Sequence, residues 1–241
     1  MSIVKTKKEI ETLKAAAAIG SEVFLRILPQ LVPGATEKGL AARMTALAKE
    51  LGADDLSFPP IIASGKNGAQ PHAVPTNRML RKGDFVTIDF GVTKDGFCSD
   101  MTRTFFVAGG KASGGKGAPR RPTAKQARIY DIVLTAQLAG IEAARPGMAC
   151  KDLDAVCRGI IEQAGFGRYF IHTTGHGVGT EIHEDPRIGK KSDAVLEAGM
   201  VVTIEPGVYI GGWGGVRIED TVVITEEGCE VITLGVGKSL L

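Results

Sequence analysis

Leu80-x-x-Gly83-x-x-Val86-Thr87-Ile88-Asp89-x-Gly91-Val92 recurs as Leu196-x-x-Gly199-x-x-Val202-Thr203-Ile204-Glu205-x-Gly207-Val208, 116 residues further on. An acid occupies the same place in both copies. Downstream, Asp100-x-Thr102 corresponds to Glu219-x-Thr221 at an offset of 119, so the second copy has three extra residues between its acids. Upstream, Pro33-Gly34-x-x-x-Lys38-x-Leu40 corresponds to Pro146-Gly147-x-x-x-Lys151-x-Leu153, and Gly52 to Gly165, at an offset of 113. Three matches in one order predict two related halves with pseudo-twofold symmetry, not a long solenoid.

Each half reads as two helices followed by strands. Residues 7–29 carry Ile10, Leu13, Ala17 and Phe24, and residues 124–145 carry Ile129, Ile132, Val133, Ala136 and Ala139, the spacing of an amphipathic helix. Thr123-x-x-Gln126 can form a capping box at the start of the second of these. Pro-Gly breaks each helix. Second helices are predicted over 37–51 and 151–164, with Gly52 and Gly165 placed as C-cap glycines. The halves end in β-rich stretches, 84–107 and 200–225.

A turn in Thr93-Lys94-Asp95-Gly96 folds the first β-rich stretch into a hairpin. With Lys94-Asp95 as the loop, Asp89 faces Asp100 directly, with Cβ atoms about 4.5–5.5 Å apart. With Asp95-Gly96 as the loop, the two are diagonal neighbours. In the second copy, a loop of Gly211-Gly212-Trp213 sets Glu205 opposite Glu219. Paired carboxylates repel, and buried ones need protons or cations. Both pairs sit among apolar strand residues, so the expectation is a metal site. Four carboxylates with an imidazole suit manganese, iron, cobalt or zinc better than calcium. Shared carboxylates favour a two-metal centre.

Composition narrows the function classes. The 241 residues fit one large domain or two small ones. Hydrophobic residues at 44% and charged residues at 23% exclude predominant disorder. A net charge of +2 gives no argument for nucleic acid or a membrane surface. The charged N-terminus lacks the apolar core of a secretory signal, and no apolar run is long enough to span a bilayer. Cys98, Cys150, Cys157 and Cys229 show no CxxC pairing and read as reduced thiols, which places the protein in the cytoplasm. Glycine, at 32 residues, is about twice its usual share, so many tight turns or close approaches are expected.

Histidine is scarce, with four residues in all. His172, His176 and His183 share one short segment, and His72 lies in Gln70-Pro71-His72-Ala73-Val74-Pro75. Glycines flank His176 closely. One imidazole as a ligand with others donating to substrate is chemically sensible, but spacing does not say which is which.

These residues resemble the pita-bread metallopeptidase superfamily, which includes methionine aminopeptidases, Xaa-Pro aminopeptidases and prolidases. The resemblance runs from about Lys7 to Thr233. It rests on Asp89, Gly96-Phe97-Cys98-Ser99-Asp100-Met101-Thr102-Arg103-Thr104-Phe105, Gly175-His176-Gly177-Val178-Gly179, Thr203-Ile204-Glu205-Pro206-Gly207 and Gly215-Val216-Arg217-Ile218-Glu219-Asp220. It implies an α+β pita-bread fold, two pseudo-twofold-related halves with helices packed outside a curved antiparallel sheet. It implies five metal ligands, Asp89, Asp100, His176, Glu205 and Glu219, with Asp100 and Glu219 bridging two divalent ions. Manganese or cobalt is favoured, with iron or zinc as alternatives. Water activated by the ions would attack the first peptide bond of a short peptide. Glu205 would shuttle the proton, and His72 and His183 would bind the scissile amide and stabilise the tetrahedral intermediate. His172 and Arg217 complete the expected substrate-binding set.

Ser64-Gly65-Lys66-Asn67-Gly68-Ala69-Gln70-Pro71-His72, Ser99-Asp100-Met101-Thr102-Arg103-Thr104 and the position of His172 look like the Xaa-Pro branch. Methionine removal is the alternative specificity, and a non-catalytic peptide-binding module the alternative class. The expected organisation is a single catalytic domain over 1–241, with half-repeats at about 7–107 and 123–225 and no N-terminal accessory domain. A homodimer is the family-based expectation for assembly. The segment Gly109–Arg128, basic and glycine-rich without an acid, reads as a solvated loop or, more sharply, as a cleft-rim or partner-binding loop.

Overall fold

A computed structural model describes residues 2–108 and 121–240. Most of the basic, glycine-rich segment, residues 109–120, lies outside the described residues, so its expected role is not addressed by the fold.

The first half begins with α1 (Lys7–Ile27) and α2 (Glu37–Glu50). Thr6 and Glu9 form a reciprocal capping box on α1, and Thr36 caps α2 through the Gly39 amide. Strands β1 (Asp55–Leu56), β2 (Ile61–Ser64), β3 (Phe85–Phe90), β4 (Val92–Lys94), β5 (Phe97–Cys98) and β6 (Met101–Phe106) follow. The second half repeats this plan with α3 (Ala124–Ala143) and α4 (Cys150–Gln163). Its strands are β7 (Gly175–Gly177), β8 (Glu184–Ile188), β9 (Val201–Ile204), β10 (Gly207–Ile210), β11 (Gly214–Arg217), β12 (Asp220–Ile224) and β13 (Cys229–Val231). The predicted capping box of Thr123 and Gln126 is present, and Gly52 and Gly165 follow their helices at positive φ.

The symmetry extends to individual pairings. Ser64 pairs with Val86 and Gly177 with Val202, positions related by the sequence offsets. The isolated bridges Thr36–Met79 and Ala149–Val195 are related in the same way. Strand order β2-β3-β6 in the first half therefore corresponds to β7-β9-β12 in the second, where β8 and β13 extend the edges.

Side-chain alternation separates core from site. Val86, Ile88 and Phe90 pack with Phe24, Ile27, Met44 and Leu47 of α1 and α2. Val202, Ile204 and Val222 pack with Ile129, Val133, Leu153 and Ile161 of α3 and α4. Each such side chain contributes about 1.5–3 kcal/mol on full burial. Cys150 and Cys157 are core residues here, and burial pushes the Cys157 thiol up to about 12. The alternate residues, Thr87 and Asp89 in one half, Thr203 and Glu205 in the other, lie on the faces turned away from the helices. The halves are stitched together there: the Glu219 amide donates to Thr102 O at 3.1 Å, and the Thr221 hydroxyl to Asp100 O at 2.8 Å.

The first hairpin settles the open register. Thr93 pairs with Cys98 and Lys94 with Phe97, so the loop is Asp95-Gly96, not Lys94-Asp95. Both loop residues have positive φ, 48° and 79°, the backbone of a type I′ turn. Asp89 consequently faces Thr102, and Asp100 is its diagonal neighbour. The second hairpin has the expected register: Gly207 pairs with Arg217 and Ile204 with Asp220, and Glu205 and Glu219 lie between these pairs. Each hairpin changes sheets at its acids, since β3–β6 and β4–β5 lie in different sheets, as do β9–β12 and β10–β11.

Candidate metal centre

The nine residues singled out from the sequence, His72, Asp89, Asp100, His172, His176, His183, Glu205, Arg217 and Glu219, all line one cleft of about 490 Å³. Its other walls are largely apolar, including Phe58, Pro59, Pro60, Ile61, Val74 and Ile182.

Asp100, His176 and Glu219 form the compact part of the site. They are buried, and each offers a ligand atom within 4.8 Å of the others. His176 Nε2 lies 3.6 Å from Asp100 Oδ2 and 3.4 Å from Glu205 Oε1. His176 Nδ1 is 3.0 Å from Gly177 O. An Nδ1–H directed at that carbonyl leaves the Nε2 lone pair for a cation. The Thr102 hydroxyl donates to Glu219 Oε2 at 2.6 Å, and the Glu205 amide is held by Thr174 O at 2.8 Å.

Gly175, next to His176, shows why glycine is needed. A Cβ at that position would stand 1.9 Å from Thr203 O, inside the contact between β7 and β9.

Asp89 stands slightly apart. Arg217 Nη2 donates to its Oδ2 at 2.6 Å, while Oδ1 is buried without a hydrogen-bond partner. Arg217 also donates through Nη1 to Tyr209 Oη at 2.8 Å and to Pro71 O at 3.2 Å, and through Nε to the Thr102 hydroxyl at 3.1 Å. His172 Nε2 is 2.8 Å from Tyr209 Oη, and its Nδ1 is 2.7 Å from Thr173 O. Asp89, Arg217, Tyr209 and His172 thus form one hydrogen-bonded chain, buried at Arg217 and Tyr209. Burial and the Arg217 charge lower the His172 pKa to about 3, keeping the ring neutral.

The electrostatics fit a cation. Burial, then the neighbouring Glu219, Asp89 and Glu205, hold Asp100 well above the usual carboxylate range. Burial with Glu205 and Asp89 does the same to Glu219, and burial lifts Glu205 to about 8. Burial lowers His176 to about 4, so it offers a neutral imidazole at physiological pH. Crowded carboxylates, an aimed imidazole and the orphaned Asp89 Oδ1 form a donor set suited to divalent metal.

His183 packs edge-on to His176 with ring centroids 4.4 Å apart, while exposed His72 enters the cleft from the loop after β2. Sequence reasoning did not single out Tyr209, Thr102 or Thr203. Tyr209 was accessible in principle, because it lies four residues after Glu205 and shares its face in the predicted hairpin. Thr102 and Thr203 act through tertiary contacts that no local pattern announces.

Comparison with known proteins gives a consistent outcome. The Xaa-Pro dipeptidase of Pyrococcus furiosus is 45% identical over 233 residues, covering 97% of this chain and 64% of that protein. A solved prolidase structure from Pyrococcus furiosus has a TM-score of 0.90 with 45% identity, covering 98% of this chain and 66% of that one. An X-Pro aminopeptidase structure from Thermotoga maritima has a TM-score of 0.91 with 36% identity, covering 98% and 64% respectively. The chain thus spans just under two thirds of the length of these relatives, and its α+β architecture is their pita-bread fold. No described helix is long and apolar enough to cross a membrane. Residues 11–226 match the sequence pattern of metallopeptidase family M24, and the chain belongs to that family.

Proposed function

We propose that this chain is a dinuclear metal-dependent peptidase that hydrolyses the N-terminal bond of short peptides, with Xaa-Pro as its preferred substrate. The observation carrying this reading is the convergence of all nine residues on one cleft. Asp89, Asp100, His176, Glu205 and Glu219 would hold two divalent ions, manganese or cobalt by preference and iron or zinc as alternatives. When bound, such ions supply Lewis-acid polarisation and lower the pKa of water.

The protein's own groups provide the rest. Glu205, buried beside the Thr203 hydroxyl at 3.4 Å, moves the proton between water and the leaving amine. His72 and His183, at the cleft opening, donate to the scissile amide and to the oxyanion as it develops. Arg217 aims Asp89 and supports the substrate side of the cleft through Tyr209 and neutral His172. The apolar wall of Phe58, Pro59, Pro60 and Val74 suits a pyrrolidine ring and excludes water from it.

The names of the relatives support Xaa-Pro cleavage over methionine removal. The two halves act as one catalytic unit, cytoplasmic and homodimeric. The test is a panel of Ala-Pro, Arg-Pro-Pro and Met-Ala-Ser peptides incubated with the protein and Mn²⁺ or Co²⁺. Release of the residue before proline is expected. Release of methionine alone would overturn the specificity, and no metal-dependent turnover on any peptide would favour a binding module.

A further inference from the structure

The loop that carries His72 is closed by a carboxylate outside the cleft. Glu37, the first residue of α2, is completely buried. Its Oε1 accepts from the Ser64 amide at 2.7 Å and the Ser64 hydroxyl at 2.6 Å. Its Oε2 accepts from the Thr76 amide at 3.0 Å and the Thr76 hydroxyl at 2.6 Å. Asn67 Nδ2 bridges both oxygens at 3.1 and 3.0 Å. Burial alone would push this carboxyl up, but the hydrogen bonds from Ser64 and Thr76 outweigh it and hold Glu37 below the usual range.

Ser64 ends β2, and Thr76 follows the Pro71–Pro75 wall of the cleft. Between them the chain has one short 3-10 turn, Gly65–Ala69, and then no regular structure up to Thr76. Both ends of this loop meet at one carboxylate, while Arg217 holds its middle at Pro71 O.

We infer that Glu37 is a positioning residue for the proposed reaction: by tying Ser64 and Thr76 to one carboxylate, it sets where His72 stands over the ligand cluster. This rests on the role proposed for His72. Only a carboxylate serves, because both oxygens must accept. In Glu37→Gln the amide nitrogen faces either the Ser64 or the Thr76 donors, so one end of the loop is released whichever way the side chain flips.

The experiment combines Glu37→Gln, His72→Ala and the double variant, assayed on Ala-Pro with Mn²⁺. In parallel, imidazole ring-proton NMR is recorded on the same proteins. Four histidines make that spectrum simple, and His72→Ala identifies the His72 signal. Glu37→Gln should lower kcat roughly 10- to 100-fold, with the effect on KM smaller, as expected of a misplaced group. It should shift the His72 resonance and cost nothing further in the His72→Ala background. Full activity in His72→Ala would overturn the role of His72 itself. If His72→Ala is impaired but Glu37→Gln adds its full loss to it, or leaves the His72 resonance unmoved, the inference about Glu37 fails and the role of His72 survives. Should Glu37→Gln not fold, Thr76→Val removes one hydroxyl donor and keeps the amide. A smaller loss with a shifted His72 resonance is then expected, and an unshifted resonance overturns the inference.

Discussion

Arg103 fastens the two halves together, and its removal has a calculable effect. The residue is 1% exposed. Nη2 donates to Asp220 Oδ1 at 2.7 Å, Nε to Val236 O at 3.2 Å, and Nη1 to Thr102 O and Glu219 O. Asp220 is itself fully buried and receives Gln137, Thr233 and Lys238 as well. Burial would raise the Asp220 pKa, but Arg103 and Lys238 hold it below the usual range. Arg103→Met roughly conserves volume while taking away one of two compensating cations and the donor to three backbone carbonyls. Breaking a buried pair costs about 3–5 kcal/mol. At roughly 2–4 °C per kcal/mol for a chain of this size, Tm should fall by about 6–20 °C. Differential scanning calorimetry measures this, with Arg26→Ala as the control. The Arg26–Glu22 pair is exposed, and its loss should stay within about 0.5 kcal/mol. An Arg103→Met protein melting within about 2 °C of the wild type would refute the assignment of a large share of inter-half stability to this pair.

Other perturbations follow from the same geometry. Gly175→Ala drives a methyl into Thr203 O and should cost at least about 1–3 kcal/mol while weakening Mn²⁺ binding beside His176; unchanged melting and unchanged calorimetric titration would contradict this. Removing metal with a chelator should lower Tm by roughly 5–11 °C relative to protein held at a hundredfold excess over Kd, and equal melting curves would argue against a metal centre coupled to folding. For Glu37 the folded pKa is depressed, so its stabilising effect is complete above the ordinary Glu value of 4.5 and is lost as pH falls through the folded value. Urea unfolding of wild type and Glu37→Gln should therefore show a stability gap at pH 7 that closes below about pH 4.5; a gap constant with pH would be inconsistent with an ionised Glu37.

Much of this architecture is visible in the chain. The matched acids Asp89 and Glu205, each set two residues before a glycine, mark the strands of the candidate site, and Thr123 with Gln126 marks the start of α3. The register of the first hairpin was open, because Lys94-Asp95 and Asp95-Gly96 both satisfy short-range rules. The positive φ of Gly96 costs nothing, which favours the second loop. The candidate ligands were legible because like charges recur in apolar strands, a local anomaly that repeats. Glu37 was not legible. It begins an ordinary helix, where an acid needs no special explanation, and its meaning depends on Ser64 and Thr76 arriving from sequence positions far away. Arg103 was hidden for the same reason: its partner Asp220 is brought to it only by the docking of the two halves.

The proposed assignment is that Asp89, Asp100, His176, Glu205 and Glu219 hold the divalent ions on which Xaa-Pro hydrolysis depends. It is tested most directly by titrating metal-free protein with Mn²⁺ while following proline release from Ala-Pro, for the wild type and for Asp100→Asn. The expected outcome is no turnover without metal, a wild-type rate that rises to a plateau at two ions per chain, and an Asp100→Asn protein that stays inactive throughout. Full turnover by the metal-free protein, or reconstitution of Asp100→Asn to the wild-type plateau, would contradict it.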